Sequence, residues 1–131
     1  MSRTDIKNNV AVAESIRADQ HTATVTGENV DLAGFDAAAV VFQVGTVANN
    51  DFTFEVQEAD DDGTGSPDTY SAVASDDLDG TAPDAPSANT VTTVGYHGIK
   101  RWLRVVATSG GTGDVNMCVS VLEAKPRTLP V

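Results

Sequence analysis

Along much of the chain, apolar and polar residues alternate one by one. In DFTFEVQE, Phe52, Phe54 and Val56 alternate with Thr53, Glu55 and Gln57. That two-residue period belongs to a strand with one buried face. VNMCVSVL repeats it, with Val115, Met117, Val119 and Val121 on one side and the more polar set Asn116, Cys118, Ser120 and Leu122 on the other. AAAVVFQVG, residues 37–45, is more continuously apolar, as a central strand covered on both faces would be. HTATVTG and NTVTTVGY are rich in threonine and valine, which favour pleated backbone, and RWLRVVAT completes a set of six or seven strands. TVANND reads as a tight hairpin loop in which Asn49 and Asn50 take positive φ, and SGGTGD as its counterpart between the last two strands. The pattern predicts an all-β fold: a single antiparallel β-sandwich, jelly-roll or immunoglobulin-like, with extended N- and C-terminal arms.

At 131 residues the chain is expected to form one domain. Residues 1–20 are polar and mixed and are expected to form an N-terminal arm, with a short helix over VAVAESIRA (Val10–Ala18) as the one helical candidate. The sandwich is placed at 21–124. It includes a long acidic and proline-rich connection at 74–90, ASDDLDGTAPDAPSANT, that can bury little. Residues 125–131 are expected to form an extended tail. No window reaches the ~20 apolar residues of a membrane helix, and the first residues carry no apolar run of the kind a secretory signal needs. The single cysteine, Cys118, excludes an intrachain disulfide and reads as a buried, inert thiol. These features fit synthesis in a reducing cytoplasm.

Charge narrows the function classes. The formal net charge is −11, and no lysine or arginine occurs between Arg17 and Lys100. Nucleic-acid affinity rests largely on lysines and arginines that displace counterions, so DNA or RNA binding is not expected. The same acidity favours solubility and opposes non-specific association.

Three constellations stand out. EADDDGTGSPD (Glu58–Asp68) has Asp60, Asp62 and Thr64 at alternating positions and Gly63 for a sharp turn, which makes Asp60 and Asp62 weak candidates for a cation site. An EF-hand loop also needs a bidentate glutamate about six residues after its glycine, and position 69 is Thr69, so an acidic hairpin loop is the preferred reading. For catalysis the chain offers two histidines, His21 and His97, and none of the nucleophile-elbow, zinc-ligand or phosphate-loop signatures; no enzyme, metal or cofactor is expected. VGYHGIKRWLRVV (Val94–Val106) holds three of the chain's eight cations. If Ile99–Thr108 is one strand, Lys100, Trp102, Arg104 and Val106 share one face, and Ile99, Arg101, Leu103, Val105 and Ala107 the other, core face. Trp102 between Lys100 and Arg104 allows a cation–π contact. Two uses are open. The cations can pair with nearby carboxylates while Trp102 covers the sheet, or the face can meet another protein chain, since Trp, Tyr and Arg anchor interfaces. An aromatic between cations also suits single-stranded nucleic acid, which the negative field disfavours. A glycan-binding face remains a third possibility.

Four collinear segments, VDLAGFDAAAVVFQVG, FTFEVQEADDDGT…YSAV, VGYHGIKRWLRVVAT and KPRTLPV, resemble a family of small structural proteins of tailed bacteriophages. The shared features span about residues 30–131: an Asp-Leu-x-Gly turn, a Phe-Thr-Phe-x-Val-x-Glu strand, a Gly-Tyr-x-Gly-x-Lys-Arg-aromatic-x-Arg-Val strand and a closing Pro-Arg-x-x-Pro. The resemblance implies a virion component, a capsid decoration or cement protein made in the bacterial host cytoplasm. Its partner would be the major capsid protein, and self-association, as a trimer, is expected from the family's role. The insertion at Ser75–Asn89 and the N-terminal arm depart from the family's pattern. Tyr96, His97, Lys100, Arg101, Trp102 and Arg104, with Lys125 and Arg127 of the tail, are the interface candidates. A neck, tail or head-fibre component and a carbohydrate-binding adhesive module are the alternatives.

Overall fold

The computed structural model describes residues 3–131. The chain forms strands β1 (Val10–His21), β2 (Val25–Thr26), β3 (Val30–Asp31), β4 (Phe35–Asn49), β5 (Phe52–Ala59) and β6 (Ser71–Ala72). After a 3₁₀ turn at Ser75–Asp77 come β7 (Leu78–Asp79), β8 (Thr90–Tyr96), β9 (Trp102–Ser109) and β10 (Asp114–Pro126). They make two antiparallel sheets packed face to face. The first has the order β1-β10-β4-β8-β7, and the second β2-β9-β5-β6, with β3 beside β2 on the same edge of β9. The expected all-β sandwich is present.

Side-chain alternation places the core. Val121, Val40 and Val94 lie opposite one another across three strands of the first sheet, and Val56 opposite Val105 in the second; all five are buried. Phe42 and Phe54 meet edge to face across the two layers, with ring centroids 5.2 Å apart. β4 lies centrally, as predicted, but only one of its faces is buried: Val40, Phe42 and Val44 point inward, while Ala39, Val41 and Gln43 point away from the core. Cys118 likewise lies half-buried on the outer face, not in the core.

The two presumed hairpins are inter-sheet connections. β4 belongs to the first sheet and β5 to the second, and the same holds in reverse for β9 and β10. Among the described residues, positive φ at non-glycine positions falls on Ala85, Asn89 and Lys125, so Asn49 and Asn50 do not adopt it. Asp51 ties the two corners together: its carboxylate accepts from Ser109 Oγ at 3.0 Å, Thr112 N at 2.9 Å and Thr112 Oγ at 3.1 Å. These bonds to the charged form, Thr112 N foremost, hold its acidity above that of an ordinary aspartate.

The N-terminal boundary is corrected. Val10–His21 is the edge strand of the first sheet, antiparallel to β10, so neither an arm to residue 20 nor a helix at Val10–Ala18 is present. Two register shifts, at Glu14/Ile16 and Ile16/Asp19, break its alternation and put the successive residues Ser15 and Ile16 both inside. β10 continues to Pro126, and the remaining tail folds back: Arg127 N donates to Gly34 O at 2.8 Å and Val131 N to Asn8 O at 3.2 Å. The 74–90 connection is also stitched down, by pairing of Leu78 and Asp79 with β8 and by the bonds Phe54 N to Pro83 O and Ala85 N to Phe52 O.

Candidate functional site

The segment Tyr96–Arg104 lies at one end of the sandwich, where the chain passes from β8 in one sheet to β9 in the other. The strand begins at Trp102, later than the alternation suggested, and Gly98–Arg101 form a loop. Tyr96 explains why. Its ring is buried, and its hydroxyl donates to Glu58 Oε2 at 2.6 Å while accepting from Lys100 N at 3.2 Å, so the loop folds over it. A side chain at Gly98 would stand 2.3 Å from that hydroxyl. Burial, helped by the acceptor Glu58, raises the Tyr96 hydroxyl above the usual tyrosine range. Tyr96, expected at an interface, is therefore a core residue.

The cations that follow are held by carboxylates of the neighbouring loops. Lys100 Nζ meets Asp60 Oδ2 at 2.5 Å. Arg101 grips Asp31 with two parallel bonds of 2.9 Å, from Nε and Nη2, and its Nη1 lies 3.3 Å from Asp61 Oδ1. Trp102 donates Nε1–H to the same Asp61 oxygen at 3.1 Å. The indole thus leans toward the acidic hairpin and stacks by Arg101, whose Cζ is 5.2 Å from the ring centroid, in place of the expected contact with Lys100 or Arg104. Arg104 lies over Tyr70 at 4.0 Å and donates Nε–H to Gln57. Charge and bonding agree: the Arg101 contact lowers the Asp31 carboxyl, the Trp102 indole lowers Asp61, and Asp60 raises Lys100.

The remaining hairpin carboxylate contacts are to the turn itself. Asp61 Oδ2 accepts from Gly63 N and Gly65 N, and Asp62 Oδ1 from Thr64 N and Oγ1. Asp60 and Asp62, the weak cation candidates, thus serve Lys100 and the turn respectively. Among the described residues no group of three or more His, Cys, Asp and Glu is arranged to hold a metal ion.

His97 is exposed and donates its backbone N–H to Asp77 O at 2.7 Å. His21 lies at the opposite end of the first sheet, against Val115, so the fold does not bring the two histidines together. In the tail, Lys125 is exposed, and Arg127 pairs with Asp36 at 2.9 Å. A cleft of about 450 Å³ opens beside the loop, lined by Leu32, Gly34, Phe35, Tyr96 and Arg127 among others. At its rim stands Ile99, 97% exposed.

No protein-family model, curated protein or solved structure matches the chain.

Two features of this end of the sandwich escaped the sequence reading. The alternation extended back to Ile99 puts it on the core face, but the strand starts at Trp102, and the glycine before Ile99, Gly98, is the available signal for a loop. Glu123 is buried and faces inward from β10, in one row with Ala38 and Tyr96. Among the described residues its Oε1 has no hydrogen-bond partner, and burial, with the nearby Asp31 charge, pushes its carboxyl up to about 7. Continuing the VNMCVSVL alternation two residues onward would have placed it there.

Proposed function

We propose that the protein is a structural component of a tailed-phage virion, a decoration or cement protein that binds the outer surface of the capsid and stabilises the head lattice. The observation that carries this reading is Ile99. A large aliphatic side chain, 97% exposed, stands at the tip of a loop braced from beneath by Tyr96 and from the sides by the Asp60–Lys100 and Asp31–Arg101–Asp61 pairs. A soluble chain gains nothing in isolation by presenting such a residue on a rigid support. A binding protein does, because a pre-ordered apolar anchor loses little entropy on docking and gains its full burial. The collinear phage-protein motifs run through this same loop, and they make the major capsid protein the expected partner.

Purified particles stripped of this protein and re-incubated with it provide the test. Wild type should rebind to a copy number approaching that of the capsid protein by gel densitometry. Ile99→Asp should lower the apparent affinity at least tenfold, which is about 1.4 kcal/mol. The Arg101→Ala/Trp102→Ala pair, which releases the bracing, should also weaken retention. Unchanged occupancy with Ile99→Asp removes the loop from the interface. A few copies per particle point to a neck, tail or fibre position, and glycan binding by the isolated protein to an adhesive module.

A further inference from the structure

The outer face of the first sheet differs from the rest of the surface. Its outward positions form registered rows: Val12, Leu122, Ala39 and Gly95; then Ser120, Val41 and Thr93; then Cys118, Gln43 and Val91. Ala124 and Ala37 extend the face in one direction, and Asn116 in the other. Among the described residues, the outward positions of β4, β8 and β10 carry one charge, Asp114 at the start of β10, although the chain carries 27 charged side chains apart from histidine, 8 basic and 19 acidic. Carboxylates appear at the margins, Glu14 on β1 and Asp79 on β7. Val12 and Val91, on opposite sides of the patch, are 68% and 64% exposed.

We propose that this face is a self-association surface, on which a second copy of the chain packs sheet to sheet about a two-fold axis. Charge selects the occupant. Two copies each carrying −11 repel at any contact that juxtaposes their carboxylates, and this face, with Glu14, Asp79 and Asp114 only at its margins, is where that local cost is smallest. Flat rows of alanine, glycine, serine and threonine let two sheets approach to the ~10 Å spacing of stacked sheets, with Val12, Val41, Val91 and Leu122 filling the gaps. Size fits a weak pair. Four strands at ~4.8 Å by roughly eight residues at ~3.3 Å give about 500 Å² per copy, or about 1,000 Å² in the pair, the lower limit of specific interfaces. The inference is independent of the virion reading, and it replaces the three-fold assembly implied by the family's role with a two-fold pair.

Sedimentation equilibrium of the intact protein tests it. The expected result is a monomer–dimer equilibrium in the micromolar range that tightens roughly tenfold between low salt and about 1 M salt, because screening relieves the repulsion of the net charge while the apolar contact persists. Val41→Lys should abolish the dimer, with circular dichroism and melting confirming that the variant is folded. Val106→Lys, on the outer face of the opposite sheet, should leave it unchanged. A monomer at every concentration and salt, a trimer, or a dimer that survives Val41→Lys would each overturn the proposal. So would a monomer whose Val41→Lys variant fails only in binding to particles, since the face would then belong to another partner.

Discussion

Gly27→Ala is expected to cost the fold about 3 kcal/mol, in the range of severe core overpacking, and to lower the melting temperature by roughly 12 °C. Gly27 sits where the two sheets are sewn together along one side. Ser15, buried on the bulge of β1, lies between them: its Oγ accepts from Val105 N at 3.0 Å and donates to Glu28 O at 3.2 Å, while its carbonyl accepts from Glu28 N at 2.6 Å. Gly27 N completes the seam by donating to Val105 O at 2.8 Å. A Cβ on Gly27 would stand 2.3 Å from Ser15 Oγ, 2.5 Å from Val105 O and 3.0 Å from Ser15 O. Two of those three atoms are backbone, so no rotamer change relieves the contact, and β1 must part from β9. Ser15→Ala tests the same seam from the other side. It leaves Val105 N unpaired in the interior and should cost about 1–2 kcal/mol. The double variant should remain less stable than Ser15→Ala alone, because Val105 O still blocks the new methyl. Denaturant titration of the three variants measures all of this, and a Gly27→Ala protein melting within a degree of wild type would show that the seam is loose.

That seam also shows where the sequence was opaque. β5, β9 and β10 were legible because each keeps an unbroken two-residue period over its central part, with Phe52, Phe54 and Val56 or Val115, Met117, Val119 and Val121 on the buried side, whereas β4 was legible as a central strand from its apolar run but its one-sided burial was not. β1 was not, because its bulges place Ser15 and Ile16 inside in succession and leave Arg17–Gln20 exposed, a pattern that resembles a polar arm. Strand-to-strand connections were legible as turns but not as crossings: ANND and SGGTGD have hairpin chemistry, and only long-range pairing reveals that each changes sheet. At the candidate site, pairing of the cations with carboxylates was one of the two uses that the charge pattern left open. Which carboxylates would pair was not legible, since Asp31 is 70 positions from Arg101 in the chain. Two neighbouring aspartates, Asp60 and Asp61, divide Lys100 from Arg101 and Trp102 through hairpin geometry that no local spacing encodes.

Glu123→Gln should stabilise the protein at alkaline pH and do almost nothing near pH 4.5. The carboxyl is buried on the inward face of β10, with Ala11 and Ala38 as its strand neighbours and Tyr96 further along the row; burial first, and the Asp31 charge second, raise it from 4.5 to about 7. Between those values the native protein retains a proton that the unfolded chain has lost. Stability from this group is therefore complete below pH 4.5 and is lost as pH rises through 7. Above that, the fold carries a buried carboxylate whose cost is on the order of 2–3 kcal/mol. Asp31, Asp51, Asp61 and Asp62 act with the opposite sign. Their hydrogen bonds lower them below ordinary aspartate, so their contribution is present above the usual carboxylate value and disappears as pH falls through their native values. Together the two sets place the stability maximum of the wild-type protein on the acid side of neutrality, the direction in which the self-repulsion of a chain with a net charge of −11 at pH 7 also falls. The glutamine variant removes only the alkaline limb. Urea midpoints measured from pH 4 to 9 should converge for the two proteins at the acid end, separate between about pH 4.5 and 7, and hold a constant separation above that. Parallel curves across the whole range would mean that Glu123 is ionised and solvated in the native state, and that the orphaned oxygen finds water.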